Sequence, residues 1–80
     1  MGVLMKLLYS FKTKVGVFYI GQSKDGRFHP IFDDETLGSY LTPMRAIDDL
    51  AGGHTFTPPG GFDTSRLGIP DDIGDWERIR

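Results

Sequence analysis

The sequence predicts an α+β domain: an antiparallel meander of three strands, or four if residues 5–11 also pair, covered by one short α-helix. Three observations carry this prediction. Residues 14–41 contain three short segments rich in β-branched and aromatic residues, and polar turns separate them. A Thr-Pro pair and a Gly-Gly pair then enclose one segment of helical length. The remaining residues form a turn-rich tail that contains the single tryptophan.

The first predicted strand covers residues 14–21. Its alternation separates two sets of side chains, with Val15, Val17 and Tyr19 on one face and Phe18 and Ile20 on the other. Both sets are apolar. The strand is therefore either covered on both sides or leaves one apolar face for a partner.

The second predicted strand covers residues 27–32 and follows an Asp25-Gly26 pair, which favours a tight hairpin turn. Pro30 lacks the backbone donor that a central strand uses. This strand therefore lies at an edge, or Pro30 sits at a bulge, or its nitrogen faces away from the neighbouring strand. After a polar turn, residues 36–41 form the third predicted strand and complete the meander.

The predicted helix covers residues 43–51. Thr42 is a suitable N-cap, and Pro43 occupies the first helical position, where its missing donor is harmless. So short a helix does not persist without tertiary packing, so its apolar side must cover the sheet. Residues 52–80 are predicted to be a loop and an irregular tail, which burial of Trp76 fastens to the domain.

Length and composition limit the function. The chain has 80 residues, of which 39% are hydrophobic, and no cysteine. Since a domain commonly takes about 100–200 residues, we expect a single domain over residues 11–80, with residues 1–10 as a leader or an extra strand. The absence of cysteine excludes disulfides, zinc fingers and thiol catalysis and favours the cytoplasm. Lys6 interrupts the apolar start, which is far shorter than the roughly 18 residues of a membrane span, so we predict no membrane association.

Motifs for catalysis are missing from the sequence. The only two histidines, His29 and His54, are not accompanied by a His-Glu-x-x-His pattern, and the serines lack a Gly-x-Ser-x-Gly setting. The acidic clusters lack the spacing of a calcium loop. We therefore predict a protein that is not an enzyme and that binds no metal or cofactor.

The charges are unevenly distributed along the chain. Residues 1–32 carry five cations and one carboxylate, whereas residues 33–80 carry four arginines and ten carboxylates. This asymmetry marks a basic binding face or an acidic partner surface, or the two halves simply attract each other across the fold. Asp48 and Asp49 fall in the last turn of the predicted helix, where the helix dipole disfavours carboxylates. They indicate either an acidic binding surface or neutral variation among exposed residues.

These observations predict a small non-catalytic protein-interaction or accessory module. Its partner is an unknown protein or a second copy of the chain. The candidate surface consists of Val15, Val17, Tyr19, Phe18, Ile20, Asp48 and Asp49.

The alternative function is nucleic-acid binding through a basic and aromatic sheet face. Cations beside aromatic rings bind single strands by phosphate contacts and base stacking. The candidate contacts are Lys12, Lys14, Lys24, Arg27 and Phe28. The net charge of −2 weighs against this alternative, because the acidic half repels the phosphate backbone.

Four segments carry a resemblance to a known group of proteins: Lys-Val-Gly-Val-Phe-Tyr-Ile at 14–20, Asp-Gly-Arg-Phe at 25–28, Leu-Gly-Ser-Tyr-Leu-Thr-Pro at 37–43 and Leu-Gly-Ile-Pro-Asp-Asp at 67–72. Over roughly residues 11–77 the chain resembles a small family of uncharacterised bacterial proteins. The resemblance implies a sheet-plus-helix domain and no known activity. More loosely, the order of elements is similar to three-stranded modules with one covering helix, some of which bind DNA through the sheet.

Overall fold

A computed structural model of the protein describes residues 5–58 and 60–79. Its elements in chain order are β1 (Lys6–Thr13), β2 (Gly16–Gln22), β3 (Phe28–Phe32), β4 (Glu35–Thr36), α1 (Pro43–Gly52), two 3₁₀ turns (Thr64–Arg66 and Ile73–Asp75) and β5 (Glu77–Arg78). The strands form one antiparallel sheet in the order β4-β3-β2-β1-β5. The predicted α+β fold is confirmed, with five strands instead of three or four.

β1 is the additional strand that the sequence predicts if residues 5–11 pair. It pairs along β2, so residues 6–10 belong to the sheet, while residues 1–4 of the predicted leader lie outside the described residues. Its register with β2 shifts between Leu7 and Tyr9, which is a β-bulge. Leu7 is opposite Gly21, and Tyr9 is opposite Ile20. The bulge therefore sends Leu7 and Tyr9 to opposite faces, although two residues apart they would otherwise share one.

Pro30 is accommodated in β3 because its nitrogen faces away from β2. Its carbonyl accepts a hydrogen bond from the Leu37 N–H at 2.8 Å, on the side of β4. The reciprocal bond of an antiparallel pair is impossible because proline has no N–H. The Leu37 carbonyl accepts instead from the Phe56 N–H at 2.9 Å, which ties the loop after α1 to this side of the sheet.

The third predicted strand, 36–41, is wrong in extent. Only Glu35–Thr36 forms a strand, and Tyr40 returns to the sheet in a single bridge to Phe28, with two backbone hydrogen bonds of 2.8 Å. The ladder stops because Pro30 cannot continue it. Gly38 then allows a close fold-back, since a Cβ at this position would lie 2.8 Å from the Tyr40 ring.

The helix prediction is confirmed to within one residue. The Thr42 hydroxyl accepts a hydrogen bond from the Arg45 N–H at 3.2 Å, and Gly53 ends the helix with a φ of 77°. The buried hydroxyl of Thr64 donates to the Leu50 carbonyl at 2.7 Å and satisfies one of the free acceptors at the helix end.

One face of the sheet, here called the covered face, packs against α1 and the tail. The register places Tyr9, Phe11, Phe18, Ile20 and Pro30 on it. Its core cluster comprises Phe18, Ile20, Leu37, Ala46, Ile47, Leu50, Ile69 and Trp76. Trp76 is 5% exposed, its indole N–H donates to the Pro70 carbonyl at 3.0 Å, and its ring lies 5.7 Å from that of Phe11. The tail is therefore fastened by its tryptophan, and it also adds β5 to the sheet.

Candidate interaction surface

The other face of the sheet, here called the open face, carries the side chains that alternate with the core residues. The strand register places Leu7, Val17, Tyr19 and Ile31 on it. Val15, in the turn between β1 and β2, continues the same apolar stripe. β2 is the third of the five strands, so this stripe runs along the middle of the sheet.

The open face forms a shallow groove of about 560 Å³. Its apolar lining includes Met5, Leu7, Val15, Val17, Tyr19 and Ile31, together with Phe32 at the Asp33 end. Leu7 is 38% exposed and Val15 is 40% exposed, while Val17 and Tyr19 are half-buried. The two most exposed of these residues lie at opposite ends of the stripe, Leu7 opposite Gly21 and Val15 before the start of β2, with the half-buried Val17 and Tyr19 between them.

Gly21 gives the groove its shape. A Cβ at this position would lie 2.9 Å from Cδ1 of Ile31 and 3.4 Å from Met5. The missing side chain leaves a notch that Ile31 and Met5 fill, so Ile31 is only 4% exposed although it belongs to the open face.

The charged residues beside the groove are sorted by sign. Lys12 is exposed on the open face, opposite Val17, and Lys14 lies in the adjacent turn. On the other side of β2, Asp33 and Asp34 line the groove at the turn between β3 and β4. A basic side and an acidic side therefore flank the same end of the apolar stripe.

The turn that presents the two aspartates is under backbone strain. Asp33 and Asp34 have φ values of 52° and 64°, which is the left-handed conformation at both central positions of a type I′ hairpin turn. Asn-Gly is the favoured pair for this turn, because residues other than glycine pay a conformational cost there. Aspartate tolerates this conformation better than most residues other than glycine, and here it places two carboxylates at the groove.

The structure divides the surface predicted from the sequence. It brings Val15, Val17 and Tyr19 together on the open face. Phe18 and Ile20 are fully buried, so the prediction that they contribute to a surface is wrong. The reason is that α1 and the tail cover their face, a choice between two apolar faces that the sequence did not make.

Asp48 and Asp49 lie on α1, away from the open face, and so do not join this surface. Asp48 is exposed, and Asp49 is half-buried near Tyr40. Burial, followed by hydrogen bonding to Asp49 and its negative charge, raises the pKa of Tyr40 to about 12. Asp49 therefore has a local role on the covered side.

The five candidate nucleic-acid contacts do not share a face. Lys12 and Lys14 lie at one end of the sheet, and Lys24 lies in the turn at the opposite end. Arg27 at that end donates from its guanidinium to the Ser39 carbonyl at 3.2 Å. Phe28 belongs to the covered face, where it packs against the core.

A second groove, of about 690 Å³, combines cations with aromatic rings that the sequence did not group. It is lined in part by Lys6, Tyr9, Phe28 and Arg78. β5 brings Arg78 opposite Tyr9. Sequence reasoning missed this group because it depends on the pairing of a two-residue strand near the C-terminus with β1.

His29 takes part in a polar cluster at the turn between β2 and β3. Its Nε2 lies 2.9 Å from the Ser23 hydroxyl, and its Nδ1 lies 2.8 Å from the Gly38 carbonyl oxygen. The Ser23 hydroxyl also donates to Asp25, and this bond, with one from the Arg27 N–H, lowers the pKa of Asp25. Because the hydroxyl is engaged by the turn, the cluster serves to brace the hairpin.

In the part of the chain that the structure describes, no three histidine, aspartate or glutamate side chains gather as a metal site. Within the same residues, no helix has the length and apolarity to cross a membrane. Comparison of the chain with known protein families, with curated proteins and with solved structures found no match. The resemblance seen in the sequence therefore stays an expectation.

Proposed function

We propose that the protein is a non-catalytic, cytoplasmic interaction module that binds a protein partner through its open face. The observation that carries this proposal is the apolar groove on the face of the sheet opposite α1 and the main core cluster. Leu7 and Val15 keep more than a third of their surface in contact with water at this groove.

Physical chemistry explains why such a face favours a partner. Full burial of a Val or Leu side chain is worth roughly 1.5–3 kcal/mol relative to exposure. Folding of this chain leaves part of that free energy unused at Leu7, Val15 and their neighbours. A partner that packs into the groove can recover this free energy.

The experiment compares two lysine substitutions, Val17→Lys on the open face and Asp48→Lys on α1. Tagged wild-type and variant proteins are used to capture partners from the native host, and the folded state is checked by circular dichroism. We expect wild type and Asp48→Lys to retain the same partners and Val17→Lys to lose them. Equal retention by both folded variants contradicts the proposal.

Nucleic-acid binding is the second candidate, and the groove beside β5 is the observation that favours it. Lys6 and Arg78 there supply cations beside the rings of Tyr9 and Phe28, the combination that binds single strands by stacking and phosphate contact. We expect a labelled single-stranded oligonucleotide to bind at low salt and to bind less tightly to the Arg78→Glu variant. Arg66→Glu changes the charge equally at a distant exposed position. No binding at low salt, or an equal loss in both variants, contradicts this candidate.

A further inference from the structure

We infer that the occupant of the open face is a second copy of this chain, packed face to face. The two copies are related by a two-fold axis that lies between the two sheets and runs parallel to β2. This inference rests on the proposed function and names its partner. Three features of the face support it: the position of the apolar stripe, the distribution of charge and the outline of the sheet.

The apolar stripe directly faces the two-fold axis. A two-fold axis along the middle strand places Val15, Val17 and Tyr19 against the same residues of the partner subunit. Since β2 is the third of five strands, the rotation superimposes β1 on the position of β3, and β5 on that of β4. Two sheets in this arrangement overlap across their whole width and pack about 10 Å apart, as in aligned sheet packing.

The charges become complementary under this rotation. Lys12 is paired with Val17 from the β1 side. Tyr19 is paired with Ile31, and continuing that register by two residues brings Asp33 to the level of Val17 from the β3 side. Rotation about β2 exchanges the two sides and keeps the level along the strand. Lys12 of each subunit therefore faces Asp33 of the partner subunit, and the pair occurs twice.

A two-fold axis across the strands is the second arrangement that keeps the strands of the two sheets aligned. It keeps each strand over its own copy and reverses the direction, so Lys12 faces the Leu7 end of the partner's β1. The charges at the two sides of the groove then remain unpaired, and the strained Asp33-Asp34 turn gains no partner from Lys12. The axis along β2 is thus the one that uses every feature of the open face.

The expected interface is modest in size. Standard stable interfaces bury roughly 800 Å² per partner, and the total accessible surface of the described chain is 5158 Å². An interface of that size would cover about 15% of this surface. We expect a reversible dimer with a dissociation constant on the order of micromolar. Dimer formation is then visible by analytical ultracentrifugation over the range from about 1 µM to about 1 mM.

The absence of cysteine makes cross-linking a direct test of the axis. Val17→Cys places a thiol on the axis, where it faces the same thiol of the partner subunit, and Asp48→Cys places one on α1 as the matched control. Under mild oxidation we expect rapid disulfide-linked dimers from Val17→Cys and at least about tenfold slower cross-linking from Asp48→Cys, because only the former holds its thiols together. Equal rates overturn the inference.

Charge exchange tests the register independently of any thiol. One variant carries Lys12→Glu with Lys14→Glu, and the other carries Asp33→Lys with Asp34→Lys. Each alone juxtaposes like charges twice, so we expect self-association to weaken about tenfold, and an equimolar mixture to regain wild-type association as a mixed dimer. A mixture no better than its components overturns the inference.

The two proposals fail in different ways. A wild-type protein that stays monomeric at about 1 mM overturns the dimer. If Val17→Lys nevertheless loses partners that Asp48→Lys retains, the open face binds a different protein and the proposed function stands. A folded Val17→Lys that changes neither self-association nor partner capture overturns both.

Discussion

The two faces of one sheet are both apolar, and they are used differently. On the covered face, Phe18 and Ile20 are fully buried beneath α1 and the tail. On the open face, Val17 and Tyr19, their immediate neighbours in β2, remain half-buried beside an open groove. Adjacent residues of one strand thus lie in the core and at an open groove, respectively. An apolar residue in so small a domain is therefore not by itself evidence of a core.

The largest expected effect on stability comes from a substitution on the covered face that leaves the open-face residues unchanged. Phe18→Ala removes a fully buried ring that stacks on Phe32 at 4.5 Å, and such truncations cost about 3–5 kcal/mol. Val17→Ala, one residue away, is expected to cost less than about 1 kcal/mol because its side chain is only partly buried. Denaturant unfolding of both variants measures the difference, and equal losses contradict the division between the two faces.

The next effect concerns the tail, which extends the covered face. Trp76→Phe keeps an aromatic ring but loses the hydrogen bond to Pro70 and part of the core volume, so we expect a loss of about 1–2 kcal/mol. Phe56→Leu is the matched control, since Phe56 is 72% exposed and its replacement should change stability by less than about 0.5 kcal/mol. Thermal unfolding followed by circular dichroism compares them. An unchanged unfolding temperature in Trp76→Phe contradicts the anchoring role of the Trp76 side chain.

A substitution at the Asp33-Asp34 turn tests the role of the acidic charge at the open face. Asp33→Asn combined with Asp34→Gly supplies the favoured type I′ pair, and we expect a gain of about 1 kcal/mol in the free energy of unfolding. The same change removes the acidic charge of the groove, so self-association should weaken. Asp48→Asn removes a charge on α1 and is expected to leave association unchanged. A variant that is both more stable and equally associated contradicts the role of these aspartates.

The smallest expected effect is a pH dependence on the covered side. The pKa of Tyr40 is raised from 10.0 to about 12 by burial and by Asp49, so the folded state holds the phenolic proton more tightly than the unfolded state does. Its contribution is complete below pH 10 and is lost as the pH rises towards 12. Because Tyr40 is partly solvated, we expect a loss of up to about 1 kcal/mol in the wild type. Tyr40→Phe should flatten the curve in this window; an unchanged slope contradicts the assignment.

The sequence predicted what depends on neighbouring residues. The alternation of Val17 and Phe18, the Asp25-Gly26 turn and the Thr42 cap of α1 all follow from local rules, and each is found in the structure. Alternation also separated the two apolar sets of β2 correctly. Which set α1 covers was not predictable, because either face offers apolar contacts to a helix of this length.

The features that the sequence missed arise from contacts between distant residues. The bulge after Leu7 shows no local signature such as glycine, and it decides which side of the sheet Leu7 joins. β5 consists of Glu77 and Arg78, which have no strand pattern; burial of Trp76 brings them to β1. The third strand ends early because Pro30 has no N–H to donate to the Leu37 carbonyl. That carbonyl accepts instead from the N–H of Phe56, in the loop after α1.

The two outer strands have a consequence for how the protein behaves at high concentration. β4 and β5 are each only two residues long, and both consist of polar or charged residues. Long, flat edges serve as templates for uncontrolled strand addition, and short charged ones resist it. The chain can therefore expose an apolar face while the edges of its sheet offer little to which a further strand could be added.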